Sequence, residues 1–190
     1  MKYDNFCLDV ETTDIDSSAI VLSAAIVGFN LNEDFTYEDL VDRTLYVKFI
    51  AKEQKAAGRT ASRDTLEWWD KQGDEIKRMC FLPSKKDVSA LEGLDTIRSF
   101  IATKGNKDCL VWTRGCLDQM VMESLCRTFK VDPIASYNSF CDVRTALRCL
   151  KSTTNNRGYC DIPDFDRDKI SKHNPIDDIA LDVLMLRYGV

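Results

Sequence analysis

With 190 residues, 44% of them hydrophobic and 30% charged, the chain can close one apolar core, which excludes a disordered protein. A net charge of −5 excludes a general polyanion-coating protein, and the longest apolar run, residues 19–29, is too short to span a bilayer. Eight cysteines with no Cys-x-x-Cys pair, and a polar start lacking a signal-peptide core, point to reduced thiols in a cytoplasmic protein rather than a disulfide or zinc framework.

Residues 3–10, 19–29 and 44–49 are expected to be strands, rich in Val, Ile, Phe, Tyr and Leu and joined by polar turns. Asp64-Thr65-Leu66-Glu67 has the Asp-x-x-Glu form of a helix start and leads into Trp68, Trp69 and Ile76, with Pro83-Ser84 ending that region. A helix over 87–103 would place Val88, Leu91, Leu94, Ile97, Phe100 and Ile101 on one face. Cys109-Leu110-Val111-Trp112 reads as a fourth strand. Residues 117–129 read as a helix with Met120, Val121, Leu125 and Phe129 inward, 137–142 as a short strand, and Val143–Leu150 as a further helix.

Residues 151–172 are polar and aperiodic, with Asn155, Asn156, Gly158 and Pro163. A loop of that length inside a domain is usually functional or mobile. The last helix is the best marked: Asn174 can cap it, Pro175 suits its first turn, and Ile176, Ile179, Ala180, Val183 and Leu184 recur at helical spacing. Neither a repeat nor a linker divides the chain, so residues 1–190 are expected to form a single domain. The order of elements gives an α/β architecture, a mixed five-stranded sheet flanked by helices that resembles the ribonuclease H-like fold.

Chemistry is concentrated near the two ends. Asp9 and Glu11, one residue apart on a strand, share a face, and a divalent cation would relieve their repulsion; two solvated acids at a strand end is the alternative. Asp118 and Asp178 each stand at a helix start, where plain capping is an equally good explanation. His173 is the only histidine, and so the only one able to act as a base near neutral pH. Two cationic groups, Lys48, Lys52, Lys55, Arg59 and Arg63, then Arg144, Arg148, Lys151 and Arg157, suit a short anionic substrate or a solvated surface.

Taken as an ordered set, Asp9, Glu11, Asp118, His173 and Asp178 resemble the site of the DnaQ-like 3′–5′ exonucleases of the DEDDh type. Asp9-Val10-Glu11-Thr12-Thr13 is similar to the first motif of that family, Arg114-Gly115 through Asp118 to the second, and His173-Asn174-Pro175-Ile176-Asp177-Asp178 to the third. Thr65-Leu66-Glu67-Trp68-Trp69 with Gln72 resembles a helix of the branch holding the T-even phage exonuclease A and the mycobacterial-type exoribonucleases. Asp14, Arg114, Leu117, Pro175 and Ile179 depart from the family pattern, all beside the five central positions.

The resemblance implies hydrolysis from the 3′ end of single-stranded DNA or RNA, releasing nucleoside 5′-monophosphates. An exoribonuclease confined to RNA tails or short oligoribonucleotides is the alternative, and a non-catalytic nucleic-acid-binding module a third reading. It also implies two Mg²⁺ or Mn²⁺ ions about 4 Å apart, held by Asp9, Glu11, Asp118 and Asp178, with His173 as general base. For substrate binding it points to the Thr12 amide, to Trp68 and Trp69, and to Arg114. At most one tryptophan of such a pair would face a base, and Arg114 has a structural ion pair as its alternative. Several members of the family are homodimers, but no exposed stripe in this sequence marks an interface, and no membrane partner is expected.

Overall fold

In a computed structural model, residues 2–153, 155 and 157–190 are described. The sheet is organised on its central strand, β1 (Tyr3–Thr12). On one side β1 pairs antiparallel with β2 (Val21–Phe29), setting Asp9 opposite Ala25 and Glu11 opposite Ser23. After α1 (Tyr37–Arg43), β3 (Leu45–Lys48) adds antiparallel to β2. Then follow α2 (Ala51–Ala56), α3 (Arg63–Asp70), and a short α4 (Asp74–Ile76) that widens into a π-type turn over Lys77–Phe81. Next comes α5 (Ala90–Lys104), and β4 (Gly105–Thr113) runs parallel to β1 on its other side. After α6 (Leu117–Phe129), β5 (Phe140–Asp142) pairs parallel with β4. The chain closes with α7 (Val143–Lys151) and α8 (Pro175–Tyr188). The sheet order is β3-β2-β1-β4-β5, the mixed five-stranded sheet expected.

Alternation along β1 divides its side chains between two cores. Phe6, Leu8 and Val10 pack with Leu94, Ile97 and Ile101 of α5 and Val121, Met122 and Leu125 of α6. Cys7 points to the opposite face, where Ile179, Ala180, Val183 and Leu184 of α8 cover the sheet with Val143 and Leu147 of α7. Asp9 and Glu11 share the parity of Cys7, so they face the α8 side. A satellite cluster of Ile20, Leu22, Trp69 and Cys80 seats α3 and the π-type turn beside the end of β1. The helix α8 is buried nearly all round, and its first turn follows the pattern read from the sequence: the Asn174 side chain accepts from the Ile176 N–H at 3.1 Å and Pro175 opens the helix.

Several expectations are corrected. A helix, α1, lies in the polar stretch between β2 and β3, and a second, α2, follows β3. The first of these is held by a capping box in which Thr36 N–H donates to Asp39 and Asp39 N–H to Thr36 Oγ1, a Thr-x-x-Asp signal present in the sequence. Ala19 and Ile20 precede β2, because Ala19 bridges to Thr60. Val88 bridges to Phe49 rather than joining a helix, so α5 begins after its Ser89 cap. Leu91 and Met120, expected inward, are 48% and 45% exposed. Tyr137–Ser139 forms a 3₁₀ turn, which shortens β5. In the 151–172 stretch Lys151 closes α7 and Arg167–Lys169 forms a 3₁₀ turn; the rest lacks regular structure where described, and its Asn156 lies outside the described residues. All eight cysteines are free thiols. Among the described residues no helix is long and apolar enough to cross a membrane.

The first cationic group is also not a uniform surface. Lys48 Nζ donates to the carbonyls of Arg78 and Leu82. Arg59 is buried, donating from Nε to Ala19 O at 2.9 Å and from Nη1 to Ser124 Oγ and Thr128 Oγ1, each at 3.2 Å. It ties the turn after β1 to α6. Arg59→Ala leaves those acceptors buried and is expected to lower unfolding free energy by about 3 kcal/mol. Arg63→Ala, which breaks only an exposed pair with Glu67, should stay within about 1 kcal/mol of wild type. Urea denaturation of the two variants checks the contrast.

Candidate active site

Because β1 and β4 are parallel, both end at the same edge of the sheet, and α6 starts directly beyond β4. The last β1–β4 pair joins Cys7 to Trp112; beyond it, the Val10 N–H donates to Asp118 Oδ1 at 3.2 Å. A side chain from the first turn of α6 thus takes over where the neighbouring strand has turned away. That bond fixes the Asp118 carboxylate against β1, close enough for its charge to act on both Asp9 and Glu11. Asp118 is buried, so it is more than an exposed helix cap.

The third component arrives from the start of α8. His173 adopts φ 64°, a left-handed backbone that costs a non-glycine residue on the order of 1 kcal/mol. The turn is held by Asp177, which is buried and accepts from Tyr37 Oη at 2.6 Å and from Ser171 N–H at 2.8 Å. The imidazole meets the Trp68 ring edge to face, with centroids 4.7 Å apart at 90°. Glu11, His173 and Asp178 each present one ligand atom, and these three atoms lie within 4.8 Å of one another. Residues from opposite ends of the sequence therefore converge.

Burial dominates the electrostatics. It raises Asp9 well above the usual carboxylate range, with the charges of Asp118, Glu11 and Asp178 adding to it. Glu11 is raised well above its usual value by burial, then by Asp178 and Asp118. Burial lifts Asp118 to about 7 despite the opposing Val10 hydrogen bond, and lifts Asp178 to about 7 with help from Asp182 and Asp177. The His173 pKa falls below its ordinary value through desolvation and then the Lys172 charge, so the ring is neutral at pH 7. Four crowded carboxyl groups and one neutral imidazole form an oxygen-rich donor set that fits hard divalent cations.

The remaining expected contacts divide. The Thr12 carbonyl accepts from Trp69 Nε1 at 2.9 Å. Trp69 is fully buried and stacks on Phe81 with ring planes 13° apart, so its substrate-facing role is corrected: the ring fills the satellite core. Trp68 is half-buried and lines a second cleft with Glu11, Thr12, Asp14, Ser62 and Thr65. Of the two alternatives for Arg114, the ion pair is realised. Its Nε donates to Asp182 Oδ1 at 2.9 Å and Nη2 to the same oxygen at 2.5 Å, with both side chains largely buried. Its Nη1 donates to Arg157 O at 2.7 Å, and its guanidinium lies 4.3 Å from the Tyr159 ring centre. Asp182, one helical turn after Asp178, is this buried partner, and that spacing was the available signal. Tyr159, Arg167 and Lys172 were not singled out by sequence, yet they line the cleft that holds Asp9, His173 and Asp178.

Over 206 residues the chain is 29% identical to the exodeoxyribonuclease of Enterobacteria phage T4, covering 98% of this chain and 88% of that protein. The nuclease domain of 3′hExo, a DEDDh family member bound to rAMP, superposes with a TM-score of 0.60 at 12% identity, over 97% of this chain and 91% of that one. Exonuclease I gives a TM-score of 0.60 at 11% identity, covering 98% of this chain but 42% of the larger protein. The RNase domain of yeast Pop2 gives 0.56 at 12% identity, over 97% of this chain and 77% of that one. At such identities the structural likeness is one of fold, and the fold is that of the ribonuclease H-like exonucleases. The sequence profile of the 3′–5′ exoribonuclease Rv2179c-like domain matches residues 4–188, and the chain belongs to this family of hydrolytic 3′–5′ exonucleases.

Proposed function

We propose that the protein removes nucleotides one at a time from the 3′ end of single-stranded nucleic acid, releasing nucleoside 5′-monophosphates. The convergence of Glu11, His173 and Asp178 within 4.8 Å, beside Asp9 and the β1-anchored Asp118, is the observation that carries this reading. Asp9, Glu11, Asp118 and Asp178 would hold two divalent cations, Mg²⁺ or Mn²⁺. Bound there, such ions offset the carboxylate repulsion and stabilise the negative charge that develops on the scissile phosphate.

His173, neutral at physiological pH, accepts a proton from the attacking water. The water oxygen bonds to phosphorus as the bond to the upstream 3′-oxygen breaks, so the phosphate leaves on the 5′-oxygen of the departing nucleoside. Thr12 and Trp68 line the cleft beside Glu11, and the Thr12 amide and the Trp68 ring would seat the terminal nucleoside there. Arg114, committed to Asp182, contributes by bracing the site rather than by binding phosphate. The family description favours RNA as a second substrate reading and the phage relative favours DNA. A 2′-hydroxyl contact would separate the two. End-labelled single-stranded DNA and RNA of one sequence, digested side by side, test the choice.

His173→Ala is expected to cut the initial rate on either substrate by about 10²–10⁴-fold while Mn²⁺ still raises Tm. Asp9→Ala should lose both. A wild-type rate in the histidine variant would remove His173 from the mechanism.

A second expectation follows from protonation. Asp118 and Asp178 carry folded-state values of about 7, above the usual aspartate value near ~4 that applies to the unfolded chain. The folded protein therefore binds the extra protons. The stability they contribute is full below about pH 4 and is lost as pH rises through about 7. In EDTA, Tm should fall across that window. Because cations need the ionised carboxylates, Mn²⁺ should raise Tm more at pH 8 than at pH 5. Equal shifts at the two pH values in a differential scanning experiment would contradict this electrostatic picture.

A further inference from the structure

Two clefts meet at the carboxylates, and they differ in charge. The one beside Glu11 is lined by Thr12, Ser62, Thr65 and Trp68 with two further acids, and among the described residues it has no lysine or arginine. The other, about 550 Å³, sets Arg157, Arg167 and Lys172 on the same surface as Asp9, His173 and Asp178. All three cations come from the long loop between α7 and α8.

Cationic loops are ordinarily solvated surface, but this one is fastened over the site. Arg114, locked to Asp182, donates to the Arg157 carbonyl and lies against the Tyr159 ring. Gly158, at φ 68°, lets the loop settle on α7: a Cβ there would stand 3.0 Å from the Arg144 Cα. Arg167 Nη2 donates to the Cys160 carbonyl, and Ser171 is pinned to Asp177 next to Lys172. The backbone carrying these cations is thus held at several points, while Arg157 and Lys172 remain exposed along the cleft.

We infer that this wall is a phosphate subsite. Arg157 and Lys172 hold the phosphodiester immediately upstream of the scissile bond, so the strand enters beneath the 157–174 segment and its last nucleoside ends against Thr12 and Trp68. This rests on the hydrolytic reading proposed above and adds the path of the strand to it. Guanidinium and ammonium groups suit phosphate oxygens, and a contact to the backbone is shared by DNA and RNA.

The test compares two substrates on wild type and on Arg157→Ala/Lys172→Ala, both exposed positions whose loss should leave the fold intact. One substrate is thymidine 5′-monophosphate p-nitrophenyl ester, which has a single phosphodiester and nothing upstream. The other is a single-stranded octanucleotide, intact or with one neutral methylphosphonate at each backbone position in turn. The ratio of kcat/KM for the octanucleotide to that for the ester should fall about tenfold in the variant, through KM. The slope of log KM against log salt should flatten by about 0.7 for each phosphate that the variant no longer neutralises. In wild type, methylphosphonate at the position next to the scissile bond should raise KM by a similar factor, and in the variant it should add little. An unchanged ratio, or a penalty spread evenly over all phosphates, overturns the subsite. Fluorescence anisotropy of the labelled octanucleotide reads the wall without catalysis. If wild type cleaves nothing but binds more tightly than the variant, the hydrolytic reading fails and the wall stands. Equal affinities overturn the wall.

Discussion

Like-charge crowding at one end of the sheet is the constraint around which this protein is arranged. Asp9, Glu11, Asp118 and Asp178 gather where burial weakens solvation, and the crowding raises their proton affinity further. A fold does not assemble such a group for stability, since unpaired buried carboxylates oppose folding. The surrounding structure limits the damage. The Val10 N–H partly stabilises the Asp118 anion, and Arg114 answers Asp182, whose charge would otherwise add to the cluster. What remains uncompensated is the binding potential for cations.

The fold delivers those groups by simple geometry. A central strand covered on both faces alternates its side chains between two cores, and the parity of Cys7 carries Asp9 and Glu11 toward α8. A parallel neighbour brings the next helix start to the same edge, and the sheet ends there with Asp118 in place of a strand partner. Rigid elements therefore position the acids, as a binding constellation requires. The histidine differs. It occupies a left-handed turn, exposed to solvent, with its ring edge to face against Trp68. A ring at the rim can meet water, as the base role proposed for His173 requires.

Much of this was legible in the sequence, for physical reasons. Period-two acids on a hydrophobic strand fix a shared face, and Asn174-Pro175 marks a helix start without reference to anything distant. Local signals failed where tertiary contacts decide. Arg59 looks like surface charge until the acceptors on Ala19, Ser124 and Thr128 surround it. Trp68 and Trp69 are indistinguishable in sequence, yet helical geometry turns one into the satellite core and leaves the other at the cleft. Val88 fits the stripe of α5 but is taken by a bridge to Phe49. The missed α1 is a different case. Its capping box was readable, but a single buried residue, Leu40, gives the helix almost no apolar stripe to detect.

One helix shows how the competing demands are reconciled. Within two turns α8 carries three aspartates with separate duties. Asp177 faces away from the cluster and binds the turn that presents His173. Asp178 faces the cluster. Asp182 reaches Arg114, and through it the carbonyl of Arg157 and the ring of Tyr159. A lone carboxylate at any of these positions would be a liability; distributed along a buried helix, one is satisfied by hydrogen bonds, one is paired with an arginine and one stays available. The same two partnered aspartates hold the long loop at both ends. Loop and Asp178 therefore share a single support, so displacing α8 would disturb His173, Asp178 and the cationic residues of the loop together.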